Sequence, residues 1–156
     1  MDEKAIQDRW PGLGTYCWGC GRNNEHGLHL KSYWQGDETV ATFQPEAYHL
    51  AFPGVLNGGI IATLIDCHSV NTANAAVFRA EGKELEMDPL SGFVTGSLFV
   101  KYLRPTPAGE TVTLRARVKK MKERKVTVTC SLYSGDTECA IGKVVAVRLS
   151  REKLSE

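Results

Sequence analysis

The sequence holds no apolar run near the roughly 20 residues that a membrane-spanning helix needs. Its first residues, Met-Asp-Glu-Lys-Ala-Ile-Gln-Asp-Arg, are too charged for the apolar core of a secretory leader. Net charge is nearly absent: 19 Lys and Arg against 18 Asp and Glu give +1. Such a balance gives no electrostatic reason to bind nucleic acid or an anionic membrane as a main partner. A disulfide framework is lacking too, because the five cysteines are odd in number and scattered. There are no repeats, low-complexity tracts or linker-like stretches. What is present is a chain of 156 residues, 42% apolar, long enough to build a core without staples. We expect one domain over residues 1–156, with a polar lead-in at 1–16 and a polar tail from 150. A cytoplasmic protein with reduced thiols is the matching expectation.

The most informative stretch runs from Pro53 to Arg79. Pro53-Gly54 is a turn signal, and Asn57 is a helix N-cap, because its side-chain oxygen can accept from an orphan backbone N–H. Gly58 and Gly59 follow, and without side chains they let another molecule approach the exposed N–H groups. About twenty proline-free residues come next, apolar on nearly every side, which predicts a buried helix. Asp66 is the exception, a carboxylate two turns into an apolar rod. His68 is expected to pack or to meet a second subunit. Cys67 reads as a small hydrophobe rather than a nucleophile.

Around this helix the chain reads as strands. Leu28–Trp34 and Glu38–Phe43 flank a Gln35-Gly36-Asp37 hairpin turn, and residues 44–56 are expected to be a loop. Residues 80–92 form a second loop, long enough to be functional. Phe93–Leu103, Thr111–Val118, Val126–Tyr133 and Glu138–Leu149 complete the set, with Lys119–Lys125 as a charged connection. One helix and six antiparallel strands are best packed by curving the sheet around the helix. Two sheet edges remain, so pairing of copies into a homodimer is expected. Upstream, Cys17-x-x-Cys20 with His26 and His29 has four potential zinc ligands, but no second Cys-x-x-Cys exists. A glycine-rich loop pinned by small buried thiols and Trp18 is the favoured reading, with no metal.

These residues resemble a known family. Leu28–Trp34, the Pro-Gly-Val-Leu-Asn-Gly-Gly-Ile-Ile-Ala-Thr-Leu-Ile-Asp segment and the Thr-Gly-Ser-Leu-Phe-Val-Lys-Tyr-Leu-Arg-Pro strand look like hotdog-fold acyl-CoA thioesterases. The phenylacetate-pathway group and the human thioesterase-superfamily proteins are the nearest in pattern. The likeness covers about Cys17 to Leu149. It implies an α+β hotdog fold, an acyl-CoA or aryl-CoA substrate, no cofactor beyond the coenzyme A of that substrate, and a homodimer or dimer of dimers. It further implies that the N–H of Gly59, with Gly58 beside it, polarises the thioester carbonyl. Asp66 would be general base or nucleophile, and Thr95 would help to hold the attacking water. The family motif usually begins His-Gly-Gly, whereas this chain has Asn57, which caps a helix but does not titrate. His49 stands where some relatives place a carbonyl-binding Asn or Gln.

The chemistry asks for these groups on its own terms. Thioester hydrolysis builds negative charge on the carbonyl oxygen, which helix-start N–H groups stabilise. A carboxylate on an apolar helix has its pKa raised by desolvation or is held ionised by hydrogen bonds, and either state suits work on water. Gly59 and Asp66 are seven residues apart, about 10 Å along one helix, too far to touch one reacting carbon. The two halves are therefore expected to come from different subunits. Arg104 and the Lys119–Lys125 cluster are candidates for coenzyme A phosphates, although a charged hairpin is more often simply solvated. Phe52, Phe99 and Tyr102 are expected to line an acyl or aryl tunnel. Two alternatives remain: a hotdog hydratase or dehydratase with His49 or His68 as partner acid, and a non-catalytic acyl-thioester binder.

Overall fold

A computed structural model describes residues 4–10, 12–82 and 92–149. Two 3-10 turns, Ile6–Arg9 and Gly12–Tyr16, lead into strands β1 (Ser32–Gln35), β2 (Glu38–Phe43), β3 (Leu50–Phe52) and β4 (Val55–Leu56). Helix α1 (Gly58–Ala80) follows, then β5 (Phe93–Tyr102), β6 (Val112–Lys122), β7 (Lys125–Ser134) and β8 (Thr137–Arg148). Six strands form one antiparallel sheet in the order β1-β2-β6-β7-β8-β5, and α1 lies against its inner face. This is the hotdog arrangement, a sheet wrapped around one long helix.

The packing follows from side-chain period. On β7, Val126, Val128, Cys130 and Leu132 point inward at every second position and are buried. Leu64 and Ile65 of α1 are fully buried among the inward residues of the sheet. Gly142 of β8 makes this close approach possible, since a Cβ there would stand 2.3 Å from Ile65 Cγ2.

Three expectations need correction. Residues 44–56 are not all loop, because Leu50–Phe52 and Val55–Leu56 pair as a small hairpin across Pro53-Gly54. Gly54, at φ 83°, takes the left-handed conformation that this turn requires. Lys119–Lys125 is largely strand: β6 and β7 run on to Lys122 and from Lys125, leaving Glu123-Arg124 as the turn. Charge did not stop the ladder because Lys120, Lys122 and Lys125 are exposed along it. The lead-in, finally, is docked. Ala5, Ile6 and Gln7 are buried, and Gln7 Nε2 donates to Ser32 Oγ at 2.8 Å. Most of the expected 80–92 loop, and the tail from 150, lie outside the described residues.

The helix is less uniformly covered than its composition predicts. Gly59 is exposed, and Ala62, Thr63, Asp66 and Val70 are half-buried. Their spacing places them along one side of α1. On the buried side His68, Asn71, Thr72 and Asn74 find hydrogen-bond partners inside the fold. His68 is fully buried, with Nδ1 accepting from Ser32 Oγ at 2.7 Å and Nε2 donating to the Thr39 carbonyl at 3.1 Å. Thus His68 packs rather than reaching a partner.

Candidate active site

The start of α1 is capped as its sequence predicts. Asn57 Oδ1 accepts from the Ile60 N–H at 3.1 Å, and the Asn57 carbonyl accepts from the Ile61 N–H at 3.1 Å. Of the four orphan donors that open a helix, Asn57 Oδ1 takes that of Ile60 and the His49 carbonyl takes that of Asn57 itself, which leaves those of Gly58 and Gly59. A Cβ on Gly59 would meet only Asn57 Oδ1, at 3.0 Å, so the space over this N–H is otherwise open. Tyr102, at the end of β5, donates its hydroxyl to the Gly58 carbonyl at 2.6 Å. That bond ties the helix start to the edge strand, a role that the sequence reading missed by treating Tyr102 as an apolar wall.

Two turns along, Thr95 Oγ1 donates to Asp66 Oδ1 at 2.7 Å. A β-bulge brings these side chains together. Thr95 pairs with Ala146 and Ser97 with Val145, so Gly96 is an extra residue in β5. Directly opposed residues of an antiparallel pair share a face. Thr95, Leu98, Val100 and Tyr102 all oppose buried residues of β8: Ala146, Val144, Gly142 and Ala140. In an unbulged strand Thr95 and Leu98, three apart, would face opposite ways. The bulge turns Thr95 toward the helix. A lone glycine within a strand pattern is the signal that could have found it.

Desolvation by burial raises the pKa of Asp66, the Thr95 hydroxyl works against that shift, and negative charge at Cys17 adds to it. The carboxyl accordingly holds its proton more firmly than an exposed Asp, while one oxygen still receives a hydrogen bond. Burial holds His68 neutral, with its pKa lowered to about 4 against the weaker opposing pull of the Thr39 carbonyl.

Other sequence candidates sit apart from this pair. The His49 ring is buried, accepts at Nδ1 from the Glu46 N–H at 2.9 Å and packs on Phe43 and Tyr48. Its carbonyl receives the Asn57 N–H at 2.9 Å, so it braces the approach to the helix. His49 also lines a cavity of about 550 Å³ with residues of the 25–29 and 42–48 segments. That cavity includes neither Asp66, Thr95 nor Gly59. Arg104 is exposed just beyond β5, and Lys120, Lys122 and Lys125 flank a cavity of about 200 Å³. Phe52, Phe99 and Tyr102 are exposed and line neither of these two cavities.

The Cys-x-x-Cys segment also differs from expectation. Trp18 is 45% exposed and holds the loop through a hydrogen bond from Nε1 to the His26 carbonyl at 3.1 Å. His26 and His29 are exposed and stand outside the thiol cluster. Cys67 of α1 joins Cys17 and Cys20 instead. Hydrogen bonds from the Cys20 and Cys67 thiols, and then from backbone N–H groups, hold Cys17 below the usual thiol range. Cys20 is pushed up to about 11, chiefly by its bond to Cys17.

A sheet wrapped around one long helix, with an open helix start and a carboxylate–hydroxyl pair on the same side of the rod, places the chain in the hotdog class of fold. Within that class, residues 53–141 match the Thioesterase superfamily, and the chain belongs to that family. A thioesterase superfamily protein of known structure from Shewanella loihica PV-4 is 40% identical, with a TM-score of 0.66 over 83% of this chain and 98% of its own. Acyl-coenzyme A thioesterase THEM4 of Xenopus laevis is 35% identical over 97 residues, 62% of this chain and 38% of that protein. The Mus musculus protein of that name is 30% identical over 117 residues, 74% of this chain and 45% of its own length. The chain thus spans less than half the length of these curated relatives. PaaI of E. coli, 18% identical with a TM-score of 0.63, shares the fold.

Proposed function

We propose that the chain is a thioesterase that hydrolyses an acyl-CoA or aryl-CoA ester at a site shared between two copies. The observation that carries this reading is the 2.7 Å contact of Thr95 with Asp66 on the uncovered side of α1. The names of the THEM4 relatives agree with the substrate class.

In this reading one Asp66 oxygen accepts from Thr95 and the other faces a water. The water oxygen attacks the thioester carbonyl carbon, and its proton passes to the carboxylate. A raised pKa makes Asp66 a better acceptor than an ordinary carboxylate. Negative charge on the carbonyl oxygen is met by the N–H of Gly59 of the partner subunit, at the positive end of that helix. Collapse breaks the carbon–sulfur bond, and the coenzyme A sulfur leaves with the proton from Asp66. The carboxylate is then regenerated. Asn57 holds the donors in place by capping the helix, and takes no proton. Arg104, exposed past the end of β5, is available to coenzyme A phosphates.

Dimerisation supplies what one chain lacks. The edge strand β5 is ten residues long and exposes Val94, Leu98, Phe99 and Tyr102. Long apolar edges are normally paired or covered. A second copy laid along β5 and the uncovered side of α1 would bring one helix start toward the other Asp66. It would also enclose the aromatic side chains as an acyl or aryl pocket.

Thiol release from a panel of CoA esters of graded chain length tests this function. The wild type should release coenzyme A, and Asp66→Ala should bind the same esters without release. Tight binding with no release by the wild type would make the protein a binder instead, and hydration of an enoyl ester without release would make it a hydratase.

A further inference from the structure

The thiols of Cys17, Cys20 and Cys67 take no part in that reaction. Their sulfurs all lie within 4.8 Å of one another, with Cys17 Sγ and Cys67 Sγ 3.8 Å apart. The backbone that carries the first two is shaped around them. The Gly21 N–H donates to the Cys17 carbonyl at 2.7 Å, and the N–H groups of Cys20 and Gly19 face the Cys17 sulfur. A Cβ on Gly21 would stand 2.4 Å from Cys17 N and 2.5 Å from the Thr15 carbonyl oxygen. One on Gly19 would stand 2.3 Å from Cys67 Sγ. Glycine at 21 closes the turn, and glycine at 19 lets that turn meet the helix. Asn71, one turn beyond Cys67, points its Nδ2 at Cys20 Sγ at 3.5 Å, while Trp10 Nε1 donates to its Oδ1 at 2.6 Å. Outer groups of this kind orient the ligands of metal sites.

Spacing and charge then select the occupant. Tetrahedral zinc, with Zn–S bonds of about 2.3 Å, sets its sulfurs about 3.8 Å apart. Cys17 and Cys67 already have that separation. Among the described residues no His, Asp or Glu joins the cluster. The fourth position falls to a water, which can reach the half-buried Cys17. Three thiolates carry three negative charges, and a divalent ion leaves one uncompensated where a monovalent ion leaves two, a costly difference away from bulk water. Sulfur ligands favour zinc over harder divalent ions.

We infer that Cys17, Cys20 and Cys67 form a three-thiolate zinc site that fastens the N-terminal loop to α1 beside Asp66. Loading releases the protons of the Cys20 and Cys67 thiols to solvent, Cys17 being a thiolate beforehand, and involves no oxidation. The site is independent of the thioesterase reading, and its test does not use activity.

The experiment takes the full chain, reduced and freed of metal, and titrates it with Co²⁺ and then Zn²⁺. Wild type should bind one ion per chain, show a sulfur-to-cobalt charge-transfer band, and lose that band when zinc displaces cobalt. The half-buried Cys17 thiol should become protected from a disulfide-exchange reagent. C67S should weaken the band by about a third and zinc affinity by at least about tenfold, whereas C130S should leave both unchanged. Absence of the band in the wild type, a Cys17 thiol as reactive with zinc as without it, or equal zinc binding by C67S and C130S would overturn the site. So would acid-quenched alkylation that finds Cys17 in a disulfide in the protein as isolated, which would make the cluster a redox pair. The wild-type spectrum and thiol count need no variant to fold.

Discussion

Asp66 and His68 lie two residues apart on α1, and their surroundings drive them to different ends. Asp66 is half-buried, receives one hydroxyl from Thr95 and keeps one side toward the uncovered face. His68 is enclosed by Ser32 and Thr39, with both ring nitrogens in hydrogen bonds. The first arrangement leaves a carboxylate able to exchange a proton, and the second locks a neutral ring. Asp66→Asn should therefore lower kcat by about 10²- to 10⁴-fold, the usual contribution of a positioned base. Thr95→Ala removes a hydrogen bond to a charged group and should cost about ten- to a hundredfold in kcat/KM. Steady-state thiol release measures both. For His68 the ordinary pKa of 6.5 falls to about 4 on folding. Below the ordinary value the unfolded chain takes a proton that the folded chain refuses. Stability is thus complete above pH 6.5 and declines toward pH 4, by roughly 1 kcal/mol per pH unit. Urea denaturation between pH 7.5 and 4.5 should show this decline, and His68→Asn should reduce its slope by one proton. Equal slopes would remove His68 from the account.

At the scale of elements, α1 and its cap were legible because Asn57, the two glycines and a proline-free apolar run all point the same way. The six sheet strands were legible from alternation, within a few residues at their ends. The bulge in β5 was not read, because Thr95-Gly96-Ser97 lies in a run of residues, Phe93–Tyr102, that shows no clear apolar–polar alternation to break. The β3–β4 hairpin was missed because its strands are so short that Pro53-Gly54 dominated the reading. At the site, Asp66 and Thr95 were each named by resemblance, Thr95 for holding water rather than for its bond to Asp66, and Cys67 beside Cys17 could not be seen from residues fifty apart. Gly96 tests the bulge itself. A Cβ there would stand 2.8 Å from Val147 Cγ1 and 3.0 Å from the Val145 carbonyl oxygen, so Gly96→Val must shift β5. Its loss in kcat should match that of Thr95→Ala, and the double variant should lose little more. If the two losses simply add, the bulge does not act through Thr95.

For the whole molecule, one chain carries two half-sites about 10 Å apart on one rod. The uncovered side of α1 and the exposed edge of β5 are continuous with both, and two copies related by a twofold axis would use this surface twice. Asn57, the departure from the family motif, is occupied by capping, so the oxyanion donors do not depend on a histidine there. In the proposed reading the reaction space belongs to the pair of chains, apart from the cavity around His49.

The most direct measurement is complementation in mixed dimers. Gly59→Val covers the helix-start N–H in open space, and Asp66→Asn removes the base, so each variant alone should be inactive. Mixed one to one with free exchange, half of the dimers are hybrids with one intact site in two. Thiol release should return to about a quarter of the wild-type value by this symmetry argument. Hybrid dimers that form and stay inactive would contradict a site shared between subunits.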